Sequence, residues 1–87
     1  VGALKVDVTG QVATDSIAHK FYGGVWSDDD SIRGAKFSKG GKPIVVVPSK
    51  SIAGRSNIVF ELPPGTGVSV TRSDVEYVIT EIGTAYL

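Results

Sequence analysis

The fold is decided by DDSIRGAKFSKGGKPIVVVP, residues 29–48. Its first half predicts a short helix beginning at Asp29 or Asp30, because an aspartate N-cap satisfies free amide groups and acid there complements the helix dipole. Lys36 and Lys39 suit the last turn, and the glycine pair that follows is a C-cap signal. The second half, four apolar residues between prolines, predicts a strand buried on both faces. A helix followed by a buried strand is half of an α/β layer.

Outside this stretch, composition and pattern predict further short strands. The chain holds 13 Val and 7 Ile against 3 Leu, and β-branched side chains pack better on a pleated sheet than in a helix. Residues 3–9 alternate apolar and polar side chains, which predicts a strand with one wet face. Asp15 or Ser16 is expected to cap a brief helical turn near Ile17. Other strands are predicted at 12–13, 68–71, 75–80 and 82–87, and residues 58–60 form a short apolar segment. The fold class is therefore α/β, an open β-sheet with few short helices.

Length and residue usage narrow the class of protein. A chain of 87 residues is one small domain or part of a larger one. The absence of cysteine excludes a disulfide-stapled module and a zinc–thiolate site. No apolar run reaches ~18 residues, which argues against a membrane span, and no signal-peptide pattern is visible. Because the chain has no methionine and starts at Val1, we expect an N-terminus made by processing, truncation or omission of residues.

The net charge of zero conceals a basic middle third. Residues 1–30 carry −3, residues 31–60 carry +6 with no acidic residue, and residues 61–87 carry −3. Such a block can meet phosphate groups, or it can be a solvated surface balanced by its acidic flanks. Only Phe37 and Phe60 are interleaved with the basic residues, so a stacking platform for nucleic acid is not supported.

Other candidate motifs lack the pattern that their chemistry needs. His19 is the only histidine, and no Gly-x-Ser-x-Gly element accompanies it. Residues 28–30 are consecutive aspartates, which fits a helix start better than a calcium loop with alternating acids. Residues 38–42 look like a phosphate loop, but Lys42 precedes a proline and the Walker glycine is missing. We therefore expect no metal site.

Three segments, 4–12, 33–49 and 62–87, resemble the C-terminal domain of the acetyl-CoA hydrolase/transferase family, which includes 4-hydroxybutyrate and acetate CoA-transferases. The match covers nearly the whole chain in the family's order. The resemblance implies that residues 1–87 are one partial domain of CoA-transferase type, truncated at both ends.

The resemblance implies an enzyme that moves coenzyme A between carboxylic acids or hydrolyses an acyl-CoA. A glutamate carboxylate attacks the thioester and forms a glutamyl-CoA intermediate. That nucleophile would precede Val1, so no catalytic residue is expected in this chain, and the piece alone should be inactive. Glu81 matches a family Thr-Glu-x-Gly motif and is not assigned as the nucleophile.

The partners implied are an acyl-CoA and a small carboxylic acid as substrates. No covalently bound cofactor, nucleic acid or membrane is expected. The resemblance further implies a cytoplasmic full-length enzyme that forms a homo-oligomer.

The expected site contribution of this segment is a glycine turn made of Gly23, Gly24, Val25 and Trp26. Family members carry roughly Ser-Gly-Ile-Gly-Gly-Gln-x-Asp-Phe here, and their backbone N–H groups can hold the developing oxyanion beside the acyl group. In this chain Trp26 and the serine after it replace the second glycine pair, which narrows the pocket or suits a different acyl group. A turn that merely joins a strand to a helix is the alternative.

Lys39 and Lys42 of the basic block are the expected contacts of CoA phosphates. A second class of function stays open beside the enzyme. The same fold can serve as a non-catalytic module that binds CoA or an acyl group, or that binds another protein.

Overall fold

The computed structural model describes residues 1–24 and 28–87. Within them lie one helix and eight short strands. In chain order these elements are β1 (Lys5–Asp7), β2 (Val12–Ala13), β3 (Ser16–Ile17), β4 (Lys20–Phe21), α1 (Asp28–Phe37), β5 (Ile44–Val46), β6 (Ile58–Val59), β7 (Tyr77–Ile79) and β8 (Thr84–Tyr86).

Parallel strands form the frame of the molecule. β1 pairs antiparallel with β2 and parallel with β6, and β7 pairs parallel with β5 and antiparallel with β8. The chain just before β1 runs parallel to β5, with Gly2 opposite Val46, and the Ala3 amide donates to the Val46 carbonyl at 2.9 Å. The two three-stranded sheets are therefore joined along this edge. The α/β class with small sheets and a short helix is confirmed.

The core consists almost wholly of valine, which explains the excess of β-branched residues. Ile32 is the buried residue of α1 and packs into this cluster. The cluster is Val6, Val12, Ile32, Val45, Val47, Val70, Val75 and Val78.

The predicted helix is confirmed, with a shifted start. α1 begins at Asp28, so Asp29 and Asp30 lie in its first turn rather than at the cap. Lys36 lies in the last turn, whereas Lys39 lies beyond the end of the helix. The acidic start and basic end still match the helix dipole.

Two predictions about strand faces are wrong. In β5, Val45 is fully buried but Val46 is 49% exposed. The described part of the chain therefore covers one face of this strand and leaves the other face partly open to solvent. In the first strand, Val8 is 59% exposed while Asp7 is buried.

Asp7 is buried because it anchors the turn after β1. Its carboxylate accepts hydrogen bonds from the backbone and side chain of both Thr9 and Gln11, at 2.7–3.0 Å. Burial by itself would raise the pKa of Asp7, but these hydrogen bonds outweigh it and the pKa is lowered.

The helical turn predicted near Ile17 is wrong, because a hairpin stands there. β3 and β4 pair antiparallel through a turn in which Ala18 (φ 50°) and His19 (φ 69°) both adopt positive φ. Contacts distant in sequence hold this turn: the His19 amide donates to the Gly65 carbonyl at 3.0 Å, and the Ala18 amide donates to Thr66 Oγ1 at 2.9 Å. A β-carbon at Gly65 would overlap the His19 ring, so His19 has a packing role.

The strand predicted at 68–71 is also absent as a regular element. It is reduced to one antiparallel bridge between Val12 and Val70. Beside this bridge, the Ser69 and Val70 amides both donate to the Val12 carbonyl, at 2.8 and 3.2 Å.

Candidate functional site

A cleft in the described part of the chain lies at the carboxyl end of β5. It has a volume of about 740 Å³, within the range of small-molecule sites. We call it the basic cleft, because its charged lining residues are all cationic. Its described lining residues are Ala3, Leu4, Lys5, Ile17, Tyr22, Pro48, Lys50, Ser51, Ile52, Ala53, Arg55 and Asn57.

We call the glycine turn at residues 23–26 the glycine segment. The chain enters it from Tyr22, which lines this cleft. The Tyr22 and Gly23 amides both donate to the backbone carbonyl of Asp15, at 2.7 and 3.2 Å. The Asp15 carboxylate is itself held, because its Oδ1 accepts hydrogen bonds from Ser16 Oγ at 3.2 Å and Ser69 Oγ at 3.1 Å. The start of the glycine segment is thus fixed by a buried polar network.

The chain leaves the glycine segment through α1, which a second network holds in place. Asp74 accepts from Arg33 Nε at 3.1 Å and lies 3.5 Å from Lys36 Nζ. Lys36 Nζ also donates to the Ser73 carbonyl at 2.7 Å. The hydrogen bond from Arg33 is the main cause of the lowered pKa of Asp74, and the same bond raises the pKa of Arg33.

The segment between β5 and β6 folds back on itself above the cleft. Lys50 is bridged to Ser56, and the Ser51 amide donates to the Arg55 carbonyl at 2.8 Å. We call residues 48–57 the cleft loop. Its tip is solvent-exposed, with Ile52 protruding completely.

Asn57 fixes the base of the cleft loop. Its side chain is buried, and Nδ2 donates to the Pro48 carbonyl at 2.9 Å while the Asn57 amide donates to the Ser49 carbonyl at 2.9 Å. Lys5 Nζ adds hydrogen bonds to Asn57 Oδ1 at 3.3 Å and the Ser56 carbonyl at 3.1 Å.

Glu81 holds the same base from the end of β7. The Ser49 amide donates to both of its carboxylate oxygens, at 2.7 and 3.2 Å. This hydrogen bonding is the main cause of the lowered pKa of Glu81, and the charge of Lys50 contributes.

Lys50 lies close enough to Glu81 for its charge to lower the pKa of that carboxyl, but Glu81 is bound to Ser49 and does not line the cleft. Within residues 1–24 and 28–87, neither Lys50 nor Arg55 takes part in an ion pair, whereas Arg33 and Lys36 do. The basic cleft therefore combines unpaired positive charge with the apolar side chains of Leu4 and Ile17 and the ring of Tyr22. An elongated ligand with an anionic end and a less polar body suits this surface.

The sequence-predicted site residues divide between three places. Gly23 and Gly24 are exposed next to the cleft wall, whereas Val25 and Trp26 lie outside the described residues. Lys39 is exposed beyond α1, and Lys42 precedes β5 with its Nζ 5.8 Å from the centroid of the Tyr77 ring. Neither lysine lines the basic cleft, which lies at the other end of β5.

Lys50 and Arg55 are site residues that the sequence did not predict. Both belong to the basic block, but charge alone does not separate them from Lys39 and Lys42. The separating signal is that the strand at 44–47 ends before Lys50, and ligands of parallel sheets bind beyond the carboxyl ends of strands.

Three other features of the described residues bear on the class of site. A smaller cleft, about 380 Å³, is mainly apolar and lies between β1 and the β7–β8 pair. No group of three or more His, Asp or Glu side chains in the described chain could hold a metal ion. No helix among the described residues is long and apolar enough to cross a membrane.

Comparison with known proteins gives a consistent match. The family model of the acetyl-CoA hydrolase/transferase C-terminal domain matches residues 1–87. The chain is 45% identical to a succinyl-CoA:acetate/propanoyl-CoA:succinate CoA transferase of Fasciola hepatica, over 97% of this chain and 18% of the relative. It is also 45% identical to a 4-hydroxybutyrate coenzyme A transferase of Clostridium kluyveri, over 97% and 20%. The chain thus spans about a fifth of the length of the curated relatives it matches.

Solved structures agree with the sequence matches. RipA of Yersinia pestis superimposes with a TM-score of 0.83 at 31% identity, covering 99% of this chain and 19% of that protein. A 4-hydroxybutyrate CoA-transferase of Porphyromonas gingivalis gives a TM-score of 0.71 at 34% identity, covering 99% and 17%.

Proposed function

The chain belongs to the acetyl-CoA hydrolase/transferase C-terminal domain family, and from this membership we propose that it serves an enzyme that transfers coenzyme A between an acyl-CoA and a carboxylic acid, or hydrolyses the acyl-CoA. Family membership confirms the resemblance drawn from the three sequence segments. The substrates proposed are an acyl-CoA and a small carboxylic acid, with no covalently bound cofactor.

The proposed chemistry is a covalent exchange on a glutamate outside residues 1–87. Its carboxylate attacks the thioester carbonyl, the C–S bond breaks, and CoA leaves as a thiolate from a mixed anhydride. The thiolate then attacks the glutamyl carbonyl, which releases the acyl group as a carboxylate and leaves a glutamyl-CoA thioester. A second carboxylate reverses these steps in transfer, and water cleaves the thioester in hydrolysis. Dividing the exchange in this way lowers each barrier.

The observation that carries the proposal is that Gly23 and Gly24 directly follow Tyr22, which lines the basic cleft. On one side of the turn the Gly23 amide donates to the Asp15 carbonyl, and on the other side Arg33 anchors α1 to Asp74. Preorganised backbone N–H groups stabilise negative charge on a thioester oxygen without reorganising during the reaction. We propose this role for Gly24, Val25 and Trp26, while Gly23, whose N–H already donates to the Asp15 carbonyl, serves the acyl site by positioning the turn. Lys39 and Lys42 are retained as proposed contacts of CoA phosphates.

Borohydride trapping tests the covalent step. The full-length protein would be incubated with an acyl-CoA, treated with borohydride and mapped by peptide mass spectrometry. We expect reduction of one glutamate outside residues 1–87, and no reduction when the acyl-CoA is replaced by free CoA. An unmodified protein would count against the covalent mechanism and favour a non-catalytic CoA-binding module.

The role of the glycine segment is tested with a matched pair of glycines. Gly24→Ala should lower kcat/KM by about 10²-fold, because a small misplacement at the reacting centre is that costly. Gly34→Ala is the control, since a β-carbon there meets no atom within 4 Å on the exposed face of α1. Equal activity of the two variants would remove the proposed role.

Homo-oligomerisation and a cytoplasmic location are proposed for the full-length protein from the family alone. Light scattering of the purified protein tests the first, and cell fractionation tests the second. A monomer, or recovery outside the cytoplasmic fraction, would refute the respective proposal.

A further inference from the structure

We propose that Lys50 and Arg55 of the cleft loop bind the phosphate groups of CoA, while the uncharged pantetheine arm lies along the apolar wall toward Gly23. This inference rests on the proposed function, because it takes CoA as the ligand. It assigns the phosphate contacts to the carboxyl end of β5, in addition to Lys39 and Lys42 at the other end.

The charges of the basic cleft support this assignment. Lys5, Lys50 and Arg55 line it, and no acidic side chain does so among the described residues. Lys5 already donates hydrogen bonds to the Ser56 carbonyl and to Asn57, whereas Lys50 and Arg55 form no ion pair in the described chain. A guanidinium and an ammonium that line the same cleft without an ion-pair partner are suited to phosphate, since Arg binds it bidentately and Lys as a point charge.

The uncharged side of the cleft matches the rest of the ligand. Leu4, Ile17 and Tyr22 form an apolar and aromatic wall, and Tyr22 directly precedes Gly23. In CoA the thioester and the phosphates are separated by the uncharged pantetheine arm. A thioester at the glycine segment therefore leads the arm along this wall toward the cleft loop.

The base of the cleft loop is held in position before any ligand binds. The Asn57 side chain holds the Pro48 carbonyl, and the Glu81 carboxylate holds the Ser49 amide. A loop fixed in this way loses less conformational entropy when it binds an anion. Glu81 is thus a positioning residue for Lys50, the residue after Ser49.

Calorimetric titration of the protein with CoA tests the assignment. Lys50→Ala and Arg55→Ala should each weaken binding about tenfold, because each removes a charge-assisted hydrogen bond, and Arg55→Lys should recover part of the loss. Arg72→Ala is the matched control, since Arg72 is exposed and does not line the cleft, and its affinity should stay within about twofold. Thermal melts of each variant identify any loss of folding.

Titrations with CoA, pantetheine and inorganic phosphate show which part of CoA the cleft loop recognises. Binding of CoA should be lost in the Lys50→Ala/Arg55→Ala double variant, whereas binding of pantetheine should be unchanged. Equal losses for CoA and pantetheine would overturn the assignment, because phosphate would not be the group recognised. Binding of inorganic phosphate without any binding of CoA would also overturn it.

Failure of this phosphate-site inference and failure of the proposed function give different results. If Lys39→Ala and Lys42→Ala weaken CoA binding while Lys50→Ala and Arg55→Ala do not, the inference fails and the proposed function stands. If Lys50 and Arg55 prove necessary for CoA binding but borohydride traps no glutamate, the covalent mechanism fails and the phosphate site stands.

Discussion

The two ends of β5 carry lysines from the same basic block but offer them very different surroundings. At the amino end, Lys42 lies over the ring of Tyr77, which itself packs against Tyr86 with ring centroids 5.0 Å apart. At the carboxyl end, Lys50 stands on the cleft loop and lines a cleft of about 740 Å³. Charge distribution along a sequence therefore does not locate an anion site unless the strand direction is known.

The difference follows from how the strands are held. At the amino end, the Tyr77 amide donates to the Pro43 carbonyl at 3.0 Å, and the amino group of Val1 donates to the Ile44 carbonyl at 3.0 Å. These hydrogen bonds hold neighbouring segments of the chain against the amino end of β5. At the carboxyl end the cleft loop departs from the sheet before it returns to β6, and the resulting crevice is typical of parallel sheets.

The largest expected effect comes from loosening the carboxyl end. Asn57→Ala removes a buried amide that donates to the Pro48 carbonyl and accepts from Lys5, so we expect the free energy of unfolding to fall by about 2 kcal/mol. Urea denaturation measures the change. Ser38→Ala, which removes an exposed hydroxyl near the amino end, should cost less than about 0.5 kcal/mol. Similar losses for the two variants would mean that the base of the cleft loop is no better fixed than the other end.

The helix and the strand frame were predictable because their signals are local. Acid at the start of α1, lysine near its end and the valine run of β5 all lie within a few residues of the element they specify. Even there the exposed face of β5 was not predictable, since it depends on which layers cover the sheet.

The β3–β4 hairpin and the cleft were not predictable because distant residues build them. Positive φ at Ala18 and His19 is compensated by contacts with Gly65 and Thr66, nearly 50 residues later. The cleft loop likewise depends on Glu81, 32 residues beyond its partner Ser49. Spacing in the sequence gives no sign of either pairing.

A smaller effect is expected from Glu81, which does not line the cleft and holds the base of the cleft loop through its hydrogen bonds with Ser49. Glu81→Ala should weaken CoA binding by about threefold to tenfold, because the base of the cleft loop must then be ordered on binding. Glu81→Gln keeps an oxygen that accepts from the Ser49 amide and should recover most of the affinity. Equal weakening in the two variants would show that the charge, and not the positioning bond, is what matters.

The hydrogen bond between the Ser49 amide and Glu81 is expected to depend on pH, and the direction of the change is defined. Since the pKa of Glu81 is lowered from its ordinary 4.5, its bond to Ser49 is fully present above that value and is lost as the pH falls through the lower, folded-state pKa. The amide resonance of Ser49 should therefore titrate at a pH below 4.5 in the NMR spectrum. In Glu81→Gln this titration should disappear, and its persistence would assign the transition to another carboxyl group.

The smallest expected effect is at the amino end, where removing a positive charge should leave the rest of the molecule almost unchanged. Lys42→Ala removes one exposed cation–π contact with Tyr77, which is worth roughly 0.5–1 kcal/mol, so the free energy of unfolding should fall by no more than that. Lys42→Arg keeps a cation over the ring and should restore it. A much larger loss in urea denaturation would mean that Lys42 fixes the amino end as Asn57 fixes the other. Because the contact already engages the Lys42 ammonium with an aromatic ring, any phosphate bound there must compete with that ring, whereas Lys50 and Arg55 line an open cleft and form no ion pair among the described residues.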